Sequence, residues 1–115
     1  MLKIALTTAV TLALLCGTAL SADPIVGNWR TQSGETALIA TCGGGSFCIT
    51  LKTGTYAGKS IGELVNAESG YTGTVTDPAT DKTYRGKASI SGTSMKMSGC
   101  VLGGLFCQTQ TWTRK

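Results

Sequence analysis

Histidine is absent from this 115-residue chain. With it go the imidazole general base, the Ser-His and Cys-His nucleophile pairs and every His-liganded metal centre. Charge is sparse: ten Lys/Arg and six Asp/Glu give a net +4 and make up only 14% of the residues. These charges are scattered, with no basic stripe or run, which argues against a nucleic-acid surface. No segment sustains a 3.6-residue apolar period, so long amphipathic helices are not expected. Proline occurs twice and phenylalanine twice, whereas glycine occurs sixteen times. Beyond residue 22 no apolar stretch is long enough to span a bilayer.

The one long apolar run lies at the start. Lys3 is followed by Ile4 to Leu15, apolar apart from three threonines, and then by small residues in Ala19-Leu20-Ser21-Ala22. This is the layout of a secretory signal peptide over residues 1–22, cleaved after Ser21 or Ala22. A membrane anchor is the competing reading, but the segment is short and threonine-rich for a span. Cys16 suggests lipoprotein processing, yet Leu14 and Leu15 before it are bulky where that processing needs small residues. Cys16 is therefore expected to leave with the leader. Residues 23–115 then form one domain of 93 residues with nine basic and six acidic side chains, a net +3. Export places that domain in an oxidising compartment, the periplasm or the exterior, where cysteines form disulfides.

The domain holds Cys42, Cys48, Cys100 and Cys107. Four cysteines allow three pairings. Loop entropy separates them weakly, at about 2.4 kcal/mol for a seven-residue loop and about 4 kcal/mol for fifty. Strand register discriminates better. Placing Cys42 opposite Cys48 sets Ile39 against Leu51, Thr41 against Ile49, Leu38 against Lys52 and Ala40 against Thr50, one apolar face and one mixed. Placing Cys100 opposite Cys107 sets Met97 against Gln110 and Met95 against Trp112, with Ser98–Thr109 and Lys96–Thr111 on the other face. Both local registers are sensible, so Cys42–Cys48 and Cys100–Cys107 are the favoured bridges. A zinc site of four thiolates is the competitor; it usually wants closer spacing and often histidine.

Short alternating runs recur between turn signals. Strands are expected near Gly27–Thr31, Glu35–Thr41, Phe47–Lys52, Gly70–Thr76, Thr83–Ile90, Ser94–Cys100 and Cys107–Arg114. DPATDK, between Thr76 and Thr83, is a turn, as is SGT at 91–93. From Thr53 to Ser69 the pattern is ambiguous: Ile61–Val65 fits a short strand or a helical turn. Seven or so short antiparallel strands make an all-β sandwich or barrel. The last residues, QTQTWTRK, alternate like a wall strand although a terminus usually frays. A barrel explains this by pairing its first and last strands. Trp29 would pack beneath the barrel with Arg114 over its ring, and Gly27 would let a neighbouring backbone approach.

Gly27-x-Trp29 on the first strand with Arg114 ending the last resembles the structural signature of lipocalins and calycins. The wider set GNWRT, CGGGSFC, DPATDKTYRGKASI, MKMSGC and CQTQTWTR resembles the small exported bacterial proteins of domain-of-unknown-function family 2147, over essentially the whole of residues 23–115. The most specific piece is the terminal GC…CQTQTWTR. The resemblance implies an up-and-down, lipocalin-like antiparallel β-barrel in the periplasm of Gram-negative bacteria, with no established activity. This chain is shorter than that pattern between Lys52 and Gly70.

Function is less legible. Gly54 to Ser60 imitates a phosphate loop but has three residues between its glycines where four are needed, and it reads as a surface turn. Asp77, Asp81, Glu63 and Glu68 keep a two-carboxylate hydrolase formally open. Asp77 and Asp81 flank a turn, however, and the two glutamates read as solvated, so no enzyme and no cofactor is expected. The inner face of the last hairpin holds Met95, Met97, Gln108, Gln110 and Trp112. Its glutamines either bond to one another, water or backbone, or orient a ligand's polar group among apolar walls. The tip residues Val101, Leu102, Leu105 and Phe106 either plug a barrel end or form an apolar patch for a protein or envelope lipid. The leading expectation is a non-catalytic binder of a small apolar or amphipathic molecule. The alternatives are an envelope interaction protein acting through residues 101–106, and a small hydrolase. With so few residues to build strands, the cavity is expected to be shallow.

Overall fold

The computed structural model describes residues 23–115. The signal peptide read at residues 1–22, Cys16 included, lies outside the described residues. The alternating runs form eight strands: β1 (Gly27–Arg30), β2 (Thr36–Thr41), β3 (Ser46–Leu51), β4 (Ser60–Ala67), β5 (Gly70–Thr76), β6 (Thr83–Ser91), β7 (Ser94–Val101) and β8 (Phe106–Arg114). Each pairs antiparallel with the next, and β1 pairs with β8, so the sheet closes as an up-and-down barrel of the lipocalin type. The ambiguous segment resolves as β4, longer than expected. Its ladder with β3 slips between Ile49 and Thr50, where an extra β4 residue makes a bulge that bends the wall.

The two disulfide hairpins differ in register. Met95 faces Trp112, Met97 faces Gln110 and Cys100 faces Cys107, as the alternation requires. In the β2–β3 hairpin the expected register is wrong by two residues. Ile39 faces Ile49, not Leu51, and Ala40 faces Cys48. The cause is the turn. Gly43, Gly44 and Gly45 take φ of 100°, 60° and 82°, values open to glycine. This lets the Cys42 N–H reach the Ser46 carbonyl at 3.0 Å. Cys42 thus opposes Ser46 and reaches Cys48 diagonally, with Cα atoms 5.8 Å apart. A two-residue slip preserves which side chains face inward, so the apolar face survives the error.

The barrel is filled at the end where the chain enters. Ile25, Trp29, Ile39, Ile49, Leu64 and Met95 are fully buried there, with Phe47, Tyr71 and Trp112 beside them. Residues 23–26 strap that end shut. Ile25 plugs it, and the Trp29 indole N–H donates to the Ile25 carbonyl at 2.9 Å. The Arg114 guanidinium lies 4.1 Å from the centre of the Trp29 ring. It also donates to the carbonyls of Val26, at 3.0 Å, and Pro24. A Cβ on Gly27 would sit 3.1 Å from that guanidinium. Tyr71 donates its hydroxyl to Asp23 across the strap.

Three inward positions on neighbouring strands carry no side chain: Gly73 faces Gly86, which faces Gly99. A Cβ on Gly73 would meet the Glu63 carbonyl at 2.0 Å, and one on Gly86 the Val75 side chain at 2.9 Å. The sheet curls tightly at this row, as barrel walls do at glycine corners.

Candidate functional site

The wall is uneven. β1, β2 and β3 have four to six residues, whereas β4 to β8 have seven to nine. The tall side stands above the filled end and leaves the opposite end open. There a cavity of about 810 Å³ opens to solvent. Its floor is apolar, made by Ile49, Leu51, Ile61, Met97 and Trp112. Its rim is polar, with Thr31, Ser33 and Glu35 from the β1–β2 turn, Asp77 from the β5–β6 turn, and Gln108 and Gln110 from β8.

The inward parity of the chain explains this change. On one face of the first hairpin Trp29 is followed by Thr31, Ser33 and Glu35, and on β8 Trp112 is preceded by Gln110 and Gln108. Apolar inward residues give way to polar ones where the core gives way to the mouth. The β8 half of that signal is legible from sequence. The Thr31–Glu35 half is not: Thr31 ends one expected strand and Glu35 opens the next, and nothing in the pattern turns them, or Val75 and Tyr84, toward one mouth.

The rim is internally bonded. Glu35 accepts the Thr31 hydroxyl at 3.0 Å and the Ser33 hydroxyl. The two hydroxyls, Ser33 first, hold its carboxyl below the ordinary carboxylate range. Gln110 accepts the Trp112 indole N–H at 2.9 Å, which fixes the ring at the floor. Gln108 stands exposed at the mouth. Above Arg30, where β1 ends, the Gln32 side chain takes the Thr111 N–H at 2.8 Å and continues the seam.

The remaining singled-out residues are dispersed. Met95 is buried under the floor, while Met97 borders the cavity. Val101 and Phe106 line the mouth, and the tip beyond them is exposed: Leu102 is 68% and Leu105 79% accessible. Of the four carboxylates weighed for hydrolysis, Asp77 alone reaches the cavity. Glu63 faces Cys48 on the outer wall, and Asp81 pairs with Lys59 at 2.7 Å. The glycine-lysine segment 54–60 is the turn before β4 together with that strand's first residue, Ser60. The bridges are Cys42–Cys48 and Cys100–Cys107. They occupy opposite ends of the barrel, so the four sulfurs make no common zinc site. Among the described residues no helix is long and apolar enough to cross a membrane.

A family model described as an uncharacterised protein conserved in bacteria, DUF2147, matches residues 49–114. The matched stretch runs from within β3 to the end of β8. It omits GNWRT and the whole of CGGGSFC, both of which carry the sequence resemblance. No curated protein and no solved structure matches this chain. Two disulfides in a chain of this bacterial kind point to an oxidising, exported compartment.

Proposed function

We propose that this chain, which belongs to the DUF2147 family of bacterial proteins, holds a small apolar or amphipathic molecule in the open half of its barrel, without catalysis, in the periplasm of a Gram-negative cell. The observation that carries this reading is the division of the barrel into a packed end and a cavity of about 810 Å³ with an apolar floor and a polar rim. Sites for small molecules have this size, and here an apolar floor lies beneath a broad polar rim. The periplasmic assignment is supported by the leader read at residues 1–22 and by the disulfides.

The chemistry of the chain favours binding over catalysis. The chain has no histidine. Two-carboxylate hydrolysis needs a pair of acids facing the substrate, whereas the cavity's two carboxylates serve their own turns, Glu35 accepting from Thr31 and Ser33 and Asp77 from the Ala79 N–H.

Titration with the neutral apolar dye N-phenyl-1-naphthylamine tests the reading. One saturable site per chain is expected, with quenching of Trp112. Val75→Trp, which sets an indole into the cavity, should weaken that site at least several-fold. Unsaturable binding, or binding indifferent to Val75→Trp, would count against the cavity.

A second reading is favoured by one specific observation. From Met97 to Thr113 there is no charged residue, and Leu102, Leu105 and Phe106 are 68%, 79% and 64% exposed at the hairpin tip. This supports an envelope contact through residues 101–106. Replacing Leu102 and Leu105, which lie outside the cavity lining, together by Ser should release the protein from envelope fractions while sparing the dye site; unchanged fractionation would remove that role.

A further inference from the structure

The cavity has charge of one sign. Basic residues outnumber acidic ones nine to six in residues 23–115, yet the cavity lining contains Glu35 and Asp77 and no Lys or Arg. Neither carboxylate is neutralised by an ion pair. Glu35 accepts two hydroxyls, and Asp77 accepts the Ala79 N–H at 2.9 Å. Hydroxyl and amide donors stabilise the anion without cancelling its charge. The salt bridge among the described residues joins Lys59 to Asp81. Lys59 also donates to the Pro78 carbonyl at 3.2 Å, so its ammonium is taken up by the β5–β6 turn.

We propose that the cavity selects amphipathic molecules whose polar end is a cation, such as long-chain or aromatic amines, over fatty acids and other anionic amphiphiles. This rests on the cavity reading above. An apolar tail would lie along the accessible walls, Val75, Tyr84 and Val101, above the packed Met97 and Trp112. An ammonium head at the rim has three donors and no acceptor, and the rim offers acceptors: the two carboxylates and the side-chain oxygen of Gln108. A carboxylate head at the same place would meet two like charges and no cation, and like charge disfavours its ionised form.

Displacement of N-phenyl-1-naphthylamine by dodecylammonium, dodecanol and dodecanoate tests this, each probe kept below its aggregation threshold. Dodecylammonium should act at roughly tenfold lower concentration than dodecanoate, with dodecanol between, and the gap should narrow in high salt because rim charges are screened. The double variant Glu35→Gln, Asp77→Asn should close the gap between dodecylammonium and dodecanoate, each measured relative to dodecanol on the same variant. Gln108→Lys, which adds a cation to the same mouth without touching either carboxylate, should move the preference toward dodecanoate. If dye and dodecanol bind but the amine has no advantage over the acid, the head-group inference is overturned and the cavity reading stands. If neither the dye nor any of the three probes binds, both are overturned.

Discussion

Replacing Arg114 by Ala should open the packed end of the barrel, because this one side chain joins the last strand to the ring and the backbone of the first. Its guanidinium stacks 4.1 Å from the Trp29 ring centre, a contact worth about 1–2 kcal/mol when shielded. It also donates to the carbonyls of Val26 and Pro24. Hydrogen bonds from a charged donor contribute roughly 1.5–3 kcal/mol each when buried. Arg114 is only half-buried, so together they supply nearer 2 kcal/mol. The expected loss is therefore about 3 kcal/mol. For a domain of this size that lowers the melting temperature by roughly 12–20 °C. Urea unfolding with both disulfides intact measures it: the midpoint should fall while the slope m stays constant. Arg114→Lys keeps a cation over the ring but loses the fork that reaches two carbonyls, so it should cost about half as much. A loss below about 1 kcal/mol for Arg114→Ala, or equal losses for Ala and Lys, would refute the closure argument.

Other predictions follow from the same geometry. In the glycine row, alanine should be worst tolerated at Gly73, less costly at Gly86 and mildest at Gly99, because the added Cβ would meet its nearest neighbour at 2.0, 2.9 and 3.3 Å; overpacking costs about 1–3 kcal/mol and occasionally more, and thermal melts of the three variants check the order. Burial, then the bond and the charge of Asp23, pushes the Tyr71 hydroxyl from 10.0 up to about 12. That stabilisation is complete below pH 10 and is lost as pH rises through about 12, so the stability difference between the natural chain and Tyr71→Phe should shrink over that interval. Replacing Cys100 and Cys107 together by Ser should cost about 2–3 kcal/mol from the short loop released and loosen the hairpin tip; hydrogen exchange should show the change concentrated at residues 100–107 with the β1–β4 wall still protected.

How much of this was legible in the sequence differs from strand to strand. The β7–β8 hairpin was readable because Met95, Met97 and Trp112 alternate strictly with Lys96, Ser98 and Thr111, and the cysteines fall on one pair. In the β2–β3 hairpin the cysteines do not mark an opposed pair, because three glycines in succession permit a turn whose bridge runs diagonally. Alternation fixes parity, and parity cannot tell a register from one shifted by two. The segment before β5 was ambiguous because Ile61, Leu64 and Val65 fit either period, and the bulge against Ile49 and Thr50 has no local signature. The cavity depends on unequal strand lengths around the barrel and on the curl at Gly73, Gly86 and Gly99, which are properties of the closed sheet and not of any single strand. Its rim was half visible, in Gln108 and Gln110. Glu35 belongs to it only because β1 delivers the chain to the mouth and β2 begins there.

Native mass spectrometry of the protein secreted with its own leader into a Gram-negative periplasm tests the central claim most directly. The account predicts one small-molecule adduct per chain, retained through purification and lost from Val75→Trp. Bare protein mass for the unaltered chain, under conditions in which an added equivalent of N-phenyl-1-naphthylamine stays bound, would contradict it.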